Sequence, residues 1–205
     1  MGLRRAALAA RALIDAAGPQ LLVSLGVAGA VDADLEIGDV VAARNTCLLD
    51  KHGLPGPFQP LAVLSETAWQ AARLALQPGG AGLYYGTAVT THASQFIRQR
   101  PQQLTNPVLE METAAIAAVA AGQGLPLLSL RAISDGLRAP IPFNLERMLD
   151  GQDNLRTVEI LKTILRHPGI LPQLLRMGRN TRQAAANAAL ALLAILTQPG
   201  PVIFP

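Results

Sequence analysis

The sequence predicts an α/β fold, and three observations lead to that prediction. Helical and strand-like segments alternate through the first 140 residues, as they do in α/β domains. The segment LPLLSLRAIS, residues 125–134, is almost continuously apolar, which is typical of a strand buried on both faces of a sheet. Glycines and prolines stand between the segments and mark the turns that separate them.

The first half of the chain supplies two predicted helices and two predicted strands. Alanine-rich sequence with helical spacing begins near the N-terminus and stops at Gly18-Pro19. Prolines break the segment after the second strand, which predicts a loop. In chain order the predictions are a helix over 3–17, strands at 21–26 and 40–43, a loop over 50–60 and a helix over 66–76.

The second half continues the alternation and ends as helix. Gly122 or Gly124 is placed to end the central helix. Beyond residue 142 the spacing is helical, and the final PGPVIFP is predicted to be irregular. In chain order the predictions are strands at 82–91 and 107–111, a helix over 112–124 and a strand over 125–134.

Length and composition limit the classes of protein that fit. With 205 residues, half of them apolar and 3% aromatic, the chain suits one domain whose core is built from aliphatic side chains. The net charge is +3, yet the basic residues are not interleaved with aromatic ones, which disfavours a general nucleic-acid binder. The sequence shows no secretory signal and no apolar run long enough for a bilayer, which favours a cytoplasmic protein.

The cysteine and histidine content argues against a metal centre. Cys47 is the single cysteine, so an intramolecular disulfide and a multi-cysteine metal site are excluded. His52, His92 and His167 lie far apart, without the spacing of metal ligands. We therefore predict no metal and no organic cofactor, and we interpret Cys47 as a small buried side chain.

Three short stretches that follow predicted strands supply the candidate site. They are GVAGA at 26–30, EME at 110–112 and SDG at 134–136. In α/β folds ligands bind at the carboxyl ends of strands, so we expect the three stretches to meet. Glutamates accept hydrogen bonds from sugar hydroxyls, methionine packs on an apolar ring face, and an aspartic acid can protonate a heterocycle nitrogen. Together with glycine backbone that a flat base can approach, these residues predict a nucleoside pocket.

Each feature also has a simpler structural interpretation. Glu110 and Glu112 could be first-turn residues that the helix dipole favours. Asp135 with Ser134 could cap the segment after its strand, and GVAGA could be only a tight turn. His92 follows a strand end and could reach the pocket. The ordered combination of all three stretches favours the site.

Longer motifs around these stretches resemble a known family. The segments SLGVAGAVDADLEIGDVVAARN (24–45), VLEMETAAIAAVAAGQGLP (108–126) and LLSLRAISDG (127–136) are similar, in order and spacing, to the purine nucleoside phosphorylase and methylthioadenosine/S-adenosylhomocysteine nucleosidase superfamily. The resemblance implies a mixed sheet flanked by helices. We expect residues 1–140 to form that α/β core and residues 141–205 a helical C-terminal extension packed on the same domain.

The resemblance also implies roles for the candidate residues. The reaction would be cleavage of the N-glycosidic bond of an adenine nucleoside. Asp135, with Ser134, would handle purine N7 and the amino group, and Glu112 would bind the ribose hydroxyls. Asp135 and Glu112 are therefore the predicted catalytic residues. The predicted substrate contacts are Ala28, Gly29, Phe96, Ile97, Glu110, Met111 and Ser134.

Finer features of the resemblance predict the branch and the substrate. Phosphorolytic members carry an arginine and a serine where this chain has Ser24 and Val27, so hydrolysis is favoured over phosphorolysis. Aspartate at 135, where 6-oxopurine enzymes have asparagine, points to adenine. Residues 155–196 resemble the extension of the hopanoid-associated phosphorylase branch, which implies adenosylhopane as a substrate beside methylthioadenosine and S-adenosylhomocysteine. The arginines of 156–196 form either a solvated helix face or a peripheral contact with the membrane.

The start of the chain departs from the family pattern. Family members have about three strands before the helix at 3–17, and a glutamate on the first strand acts as general acid. We therefore interpret the sequence as an N-terminally shortened fold with an unpaired strand edge, which favours self-association. Family members are commonly dimers or larger, so a homo-oligomer is expected. The alternative function is a shortened, non-catalytic relative that binds nucleosides or associates with membranes.

Overall fold

The computed structural model describes residues 2–49, 55–91, 104–136, 169 and 171–204. Within those residues the chain forms four α-helices and eight strands, in the alternating order that the sequence predicts. They are α1 (Leu3–Ala17), β1 (Leu22–Ala30), β2 (Val40–Leu48), β3 (Gln59–Pro60), β4 (Val63–Leu64), α2 (Glu66–Leu76), β5 (Leu83–Thr90), β6 (Pro107–Glu110), α3 (Thr113–Ala121), β7 (Leu127–Asp135), α4 (Leu171–Leu196) and β8 (Ile203–Phe204).

Local sequence explains where α1 and α2 begin and end. Gly18 ends α1 in the left-handed conformation, with φ +52°, and its N–H donates to the carbonyl oxygen of Ile14. Ser65 precedes α2, and its side-chain oxygen accepts the N–H of Ala68 at 3.3 Å. Glu66 in the first turn of α2 further favours this helix through the dipole.

The main sheet is mixed and closes on itself. Its strand order is β3-β2-β5-β6-β1-β7, and β7 pairs again with β2, so that five strands form a ring with β3 attached outside it. Strands β1 and β7 are parallel to each other, and β2, β5 and β6 are parallel to one another. The two groups meet through antiparallel pairs, β6 with β1 and β7 with β2. The predicted mixed sheet flanked by helices is confirmed, although its closure was not predicted.

Small side chains let the helices pack closely on the outside of the sheet. Three alanines of α4 (Ala184, Ala188 and Ala191) are buried in one cluster with the outward side chains of β7 and with α2. A second cluster joins α3 to the start of β7 and to Ile14 of α1. A helix that presents alanine can bring its backbone near the sheet, so the aliphatic core expected from the composition is formed.

A polar contact also fixes α4 to the turn before β2. The side-chain N–H of Asn187 donates to the carbonyl oxygen of Gly38 at 2.8 Å. Gly38 has φ +96°, a conformation that other residues rarely adopt. The helical prediction beyond residue 142 is confirmed for Leu171–Leu196, while 137–168 and 170 lie outside the described residues.

Two sequence predictions about irregular segments are wrong. The C-terminal tail was predicted to be irregular, but Ile203–Phe204 pairs antiparallel with Val63–Leu64. Part of the predicted loop over 50–60 is a short strand, Gln59–Pro60, which pairs with β2. In both cases a strand elsewhere in the chain supplies backbone hydrogen bonds, which override weak local propensity.

Candidate active site

A break in strand register shapes the end of the β1–β7 pair. Ala28 pairs with Ile133, but the next residue, Gly29, pairs with Asp135, so Ser134 is an extra residue in β7. A bulge of this kind re-aims side chains and is common beside active sites. The structure therefore brings together Ala28, Gly29, Ser134 and Asp135, as the sequence predicted.

Gly29 allows the Asp135 carboxylate to lie against the backbone of β1. A Cβ atom at position 29 would lie only 2.8 Å from Oδ2 of Asp135, which is closer than real Cβ contacts. The Ser134 hydroxyl lies 2.8 Å from Oδ1 of Asp135 and 3.5 Å from the carbonyl oxygen of Ala28. Because a hydroxyl has one proton, we assign its hydrogen bond to the nearer carboxylate. Ser134 thus holds one oxygen of Asp135, and Gly29 leaves space for the other.

The Glu110 carboxylate is buried and accepts hydrogen bonds from four protein donors. Its Oε2 atom accepts the backbone N–H groups of Glu112 at 2.9 Å and Thr113 at 2.8 Å, and the Arg131 guanidinium at 3.0 Å. Its Oε1 atom accepts the hydroxyl of Thr90. The two amides lie at the start of α3. The simpler interpretation placed Glu110 and Glu112 in the first turn of this helix, but both precede it, and Glu110 instead binds amides that the helix leaves unsatisfied. Its contact with substrate stays a prediction.

Arg131 is a site residue that the sequence analysis missed. Its Nη2 atom lies 2.7 Å from Ser24 Oγ and 2.8 Å from Thr113 Oγ1, in addition to Glu110. The side chain crosses β1 at Gly26, where a Cβ atom would fall 2.6 Å from Nη1. The sequence did indicate this residue, since Arg131 is the one charged residue inside the apolar run 127–134, and a buried charge requires a partner.

Glu112 stands at the N-cap position of α3, two residues after Glu110. Burial of the carboxyl raises its pKa above the ordinary value of 4.5, and the negative charge of Glu110 raises it further, while Arg131 opposes the shift. Its environment is thus partly desolvated and negative. A carboxylate in such a place forms strong hydrogen bonds with hydroxyl donors.

Strand direction differs from the expectation that all three stretches follow carboxyl ends at one edge. Strand β6 is antiparallel to β1, with Gly29 opposite Leu109, so EME does not leave the sheet beside SDG. The Glu110 carboxylate instead reaches Arg131, four residues before Asp135 in β7. Met111 is half-buried between β6 and α3. Phe96, Ile97 and His92 lie outside the described residues.

The described part of the chain contains neither a cluster of metal ligands nor a helix that could span a membrane, and its cysteine thiol is buried. Among those residues, no group of three or more His, Cys, Asp or Glu side chains could hold a metal ion. No described helix is both long and apolar enough to cross a membrane. Cys47 is buried, as predicted, and burial raises the pKa of its thiol to about 11. It is therefore not an activated nucleophile.

The described residues form a closed mixed sheet flanked by helices, with Asp135 against Gly29 at one strand end and Glu110 and Glu112 at the start of α3. Polar side chains at the ends of strands in an α/β fold are typical of an enzyme that binds a small molecule. The sequence profile of the Phosphorylase superfamily matches residues 1–166, and the chain belongs to that superfamily. The predicted family is thereby confirmed, and so is the prediction of an enzyme of the nucleosidase and nucleoside phosphorylase kind. Such enzymes cleave the N-glycosidic bond of nucleosides.

Individual relatives agree with this assignment. The chain is 30% identical over 186 residues to the 5′-methylthioadenosine/S-adenosylhomocysteine nucleosidase of Listeria monocytogenes serotype 4a, covering 80% of this chain and 79% of the relative. The enzyme of the same name from Mycobacterium bovis is 29% identical over 180 residues, covering 70% and 71%.

Solved structures show the same fold at lower identity. The Neisseria meningitidis 5′-methylthioadenosine/S-adenosylhomocysteine nucleosidase, in complex with methylthio-immucillin-A, superposes with a TM-score of 0.62 at 20% identity, covering 96% of this chain and 77% of that one. Futalosine hydrolase of Helicobacter pylori gives a TM-score of 0.61 at 20% identity, covering 96% and 76%.

Proposed function

We propose that this protein hydrolyses the N-glycosidic bond of adenine nucleosides, with Asp135 and Glu112 as catalytic residues. The observation that carries the proposal is the bulge that sets Asp135 against Gly29 with Ser134 holding one carboxylate oxygen. Protonated Asp135 would donate its proton to N7 of adenine as the glycosidic bond breaks, which makes the base a better leaving group. Ala28 and Gly29 would lie along the base.

Glu112 would bind the ribose hydroxyls. In a dissociative reaction positive charge develops on the sugar, and a desolvated carboxylate nearby stabilises that charge more than it stabilises the neutral substrate. Met111, next to it, would pack on the apolar face of the ribose. Phe96 and Ile97 would stack on adenine.

Water rather than phosphate is the proposed nucleophile. Ser24 is buried and its hydroxyl oxygen already accepts a hydrogen bond from Arg131, while the side chain of Val27 has no polar group. The Arg131 charge faces the Glu110 carboxylate. These contacts leave position 24 poorly suited to hold a phosphate ion. The names of the curated relatives favour a thioether nucleoside as substrate.

The direct test is adenine release measured by chromatography. Methylthioadenosine, S-adenosylhomocysteine, adenosine and an adenosyl lipid would each be incubated with and without phosphate. We expect release that does not need phosphate and that Asp135→Asn reduces by at least about 100-fold. Release by the variant at the wild-type rate would contradict the role of Asp135. No release from any substrate would favour the non-catalytic, nucleoside-binding alternative.

A lipid-linked adenine nucleoside such as adenosylhopane is the second candidate substrate, and the outer face of α4 favours it. No acidic residue occurs between 171 and 196, and Arg176, Arg179 and Arg182 are exposed there. Their helix face also carries large exposed apolar side chains (Leu171, Leu175, Leu190, Leu193 and Leu196). Leucine with arginine, without acid, suits the surface of an anionic membrane.

Vesicle flotation tests this membrane contact independently of cleavage. The wild type should float with phosphatidylglycerol-containing vesicles and much less with pure phosphatidylcholine. Replacing Arg176, Arg179 and Arg182 together by glutamine should abolish the difference. A wild type that stays at the bottom with both vesicles would leave the arginines as a solvated face and remove the support for a lipid-linked substrate.

We also propose that the protein self-associates. The ladder between β1 and β6 covers only Gly29 and Ala30, whereas β7 pairs with β1 from Leu22 to Gly29. On its other side, residues 22–28 therefore pair with no described strand. Val23 and Leu25 are also exposed, so this edge offers both backbone hydrogen bonds and apolar surface to another copy.

A further inference from the structure

Glu110 is a buried carboxylate two residues before Glu112, the residue proposed to bind ribose. The Glu110 side chain is 1% exposed, and Glu110 is the last residue of β6, three residues before α3 begins at Thr113. Each of its oxygens faces protein donors. Oε2 already accepts three hydrogen bonds, so only Oε1 keeps acceptor capacity, and a substrate hydroxyl would have to pass through the protein that buries this side chain to reach it.

Three of the donors around Glu110 and Thr90 are backbone amides at the start of α3. Glu110 accepts the N–H groups of Glu112 and Thr113, while the hydroxyl of Thr90 accepts the N–H of Ala114 at 2.9 Å and donates to Glu110. An isolated helix leaves these first amides unsatisfied, and usually its own N-cap side chain binds one of them. Here the Glu112 side chain makes no such capping bond.

The same carboxylate connects the helix start to the strands that carry the rest of the site. Arg131 lies in β7 four residues before Asp135, and it binds Glu110 and Ser24 of β1 at once. Ser24 lies five residues before Gly29. Because the ion pair is buried, its geometry is restricted, and removal of either charge would leave the other unpaired.

We propose that Glu110 is a positioning residue for Glu112, and not a substrate ligand. This inference rests on the proposed function. The Glu110 carboxylate, which was predicted to contact substrate, would bind only groups of the protein. The carboxylate fixes the backbone of Glu112 at the start of α3 and sets that start relative to β1 and β7. Replacement of one oxygen by an amide would point an N–H group at other donors, so Glu112 would move away from the ribose.

A comparison of two substrates separates positioning from general damage. The Glu110→Gln variant would be assayed with 5′-methylthioadenosine and with its 2′-deoxy analogue, which lacks one hydroxyl for Glu112 to bind. We expect kcat/KM for the ribonucleoside to fall at least about tenfold, the size of a lost hydrogen bond to a charged group. For the deoxy analogue, kcat/KM should fall less than about threefold. Equal losses on both substrates would overturn the inference.

Matched variants complete the design. Glu66→Gln is the control, because it makes the same chemical change at an exposed glutamate whose described side-chain hydrogen bond is to Gln70. It should leave the rates with both substrates unchanged. If Glu110→Gln does not fold, Thr90→Val and Thr90→Ser replace it. The valine variant loses the hydroxyl and should show the same ribose-selective loss, whereas the serine variant keeps it and should restore the rate. A selective loss absent from the valine variant would also overturn the inference.

The two possible failures remain distinguishable. If the wild type releases no adenine, the proposed function fails, and calorimetric binding of adenosine and 2′-deoxyadenosine replaces the rates. Positioning then predicts that Glu110→Gln reduces the preference of the protein for adenosine by at least about tenfold. An unchanged preference would overturn the inference.

Discussion

A single glycine decides whether the Asp135 carboxylate can occupy its place. Gly29→Ala would put a methyl group 2.8 Å from Oδ2, and the end of the aspartate side chain can move more easily than the strand can. We expect adenine release to fall about 10- to 100-fold with little change in melting temperature.

Gly79→Ala is the matched control for this substitution, since nothing lies within 4 Å of its added Cβ. Its activity should equal that of the wild type. A fully active Gly29→Ala variant would show that Asp135 does not need the observed position, and the proposed role of the bulge would fail.

The raised pKa of Glu112 predicts the acid limb of the activity profile. Burial first, and then the charge of Glu110, raise this pKa above 4.5, so Glu112 becomes protonated at a higher pH than an ordinary glutamate. In the proposed reaction the ionised form of Glu112 accepts the ribose hydroxyls, so kcat/KM should fall as the pH decreases through a value above 4.5. A pH profile with 5′-methylthioadenosine measures this, and in Glu112→Gln the limb should vanish at a lower overall rate. An identical limb in that variant would assign it to another group.

At the residue scale the sequence showed chemical types but not their partners. The sequence placed GVAGA and SDG at strand ends that were expected to meet, and the structure pairs Gly29 of the first with Asp135 of the second. The contacts of Arg131 were not predicted, because it lies inside an apolar strand, although a buried guanidinium always requires acceptors. Those acceptors come from residues up to 107 positions away in sequence, and no local pattern connects Arg131 with Ser24.

At the scale of one element, the packing of α4 on the sheet can be measured by substitutions on its buried and exposed faces. Ile195 is fully buried in the cluster that joins α4 to β7 and α2, whereas Leu193, two residues earlier, is 64% exposed. Ile195→Ala should lower the free energy of unfolding by about 2–5 kcal/mol because it leaves a cavity. Leu193→Ala should change it by no more than about 0.5 kcal/mol.

Urea denaturation followed by circular dichroism measures both changes. The two substitutions remove a similar aliphatic side chain from the same helix, so their difference reports packing rather than helix propensity. Equal losses would mean that α4 is not anchored on β7 through the face that the structure shows.

Self-association is the prediction that concerns the whole molecule. If β1 pairs with another copy through the side away from β7, a lysine in place of the exposed Leu25 should weaken that pairing. Sedimentation velocity should then show a lighter species for Leu25→Lys than for the wild type. Leu74→Lys, which makes the same change on the exposed face of α2, should sediment like the wild type. A wild type that is monomeric at all concentrations would contradict both the homo-oligomer and the role of this strand.

The sequence by itself determined the alternation of helices and strands, the aliphatic core and the three short stretches that supply Gly29, Glu112 and Asp135. Those features are local, since spacing, capping residues and turn residues act within a few positions of one another. The tertiary structure alone decided that the sheet closes, that β6 runs against β1, and that Glu110 binds Arg131 and the start of α3. These depend on strand direction and on buried charges finding partners across the chain, which only the packed molecule fixes.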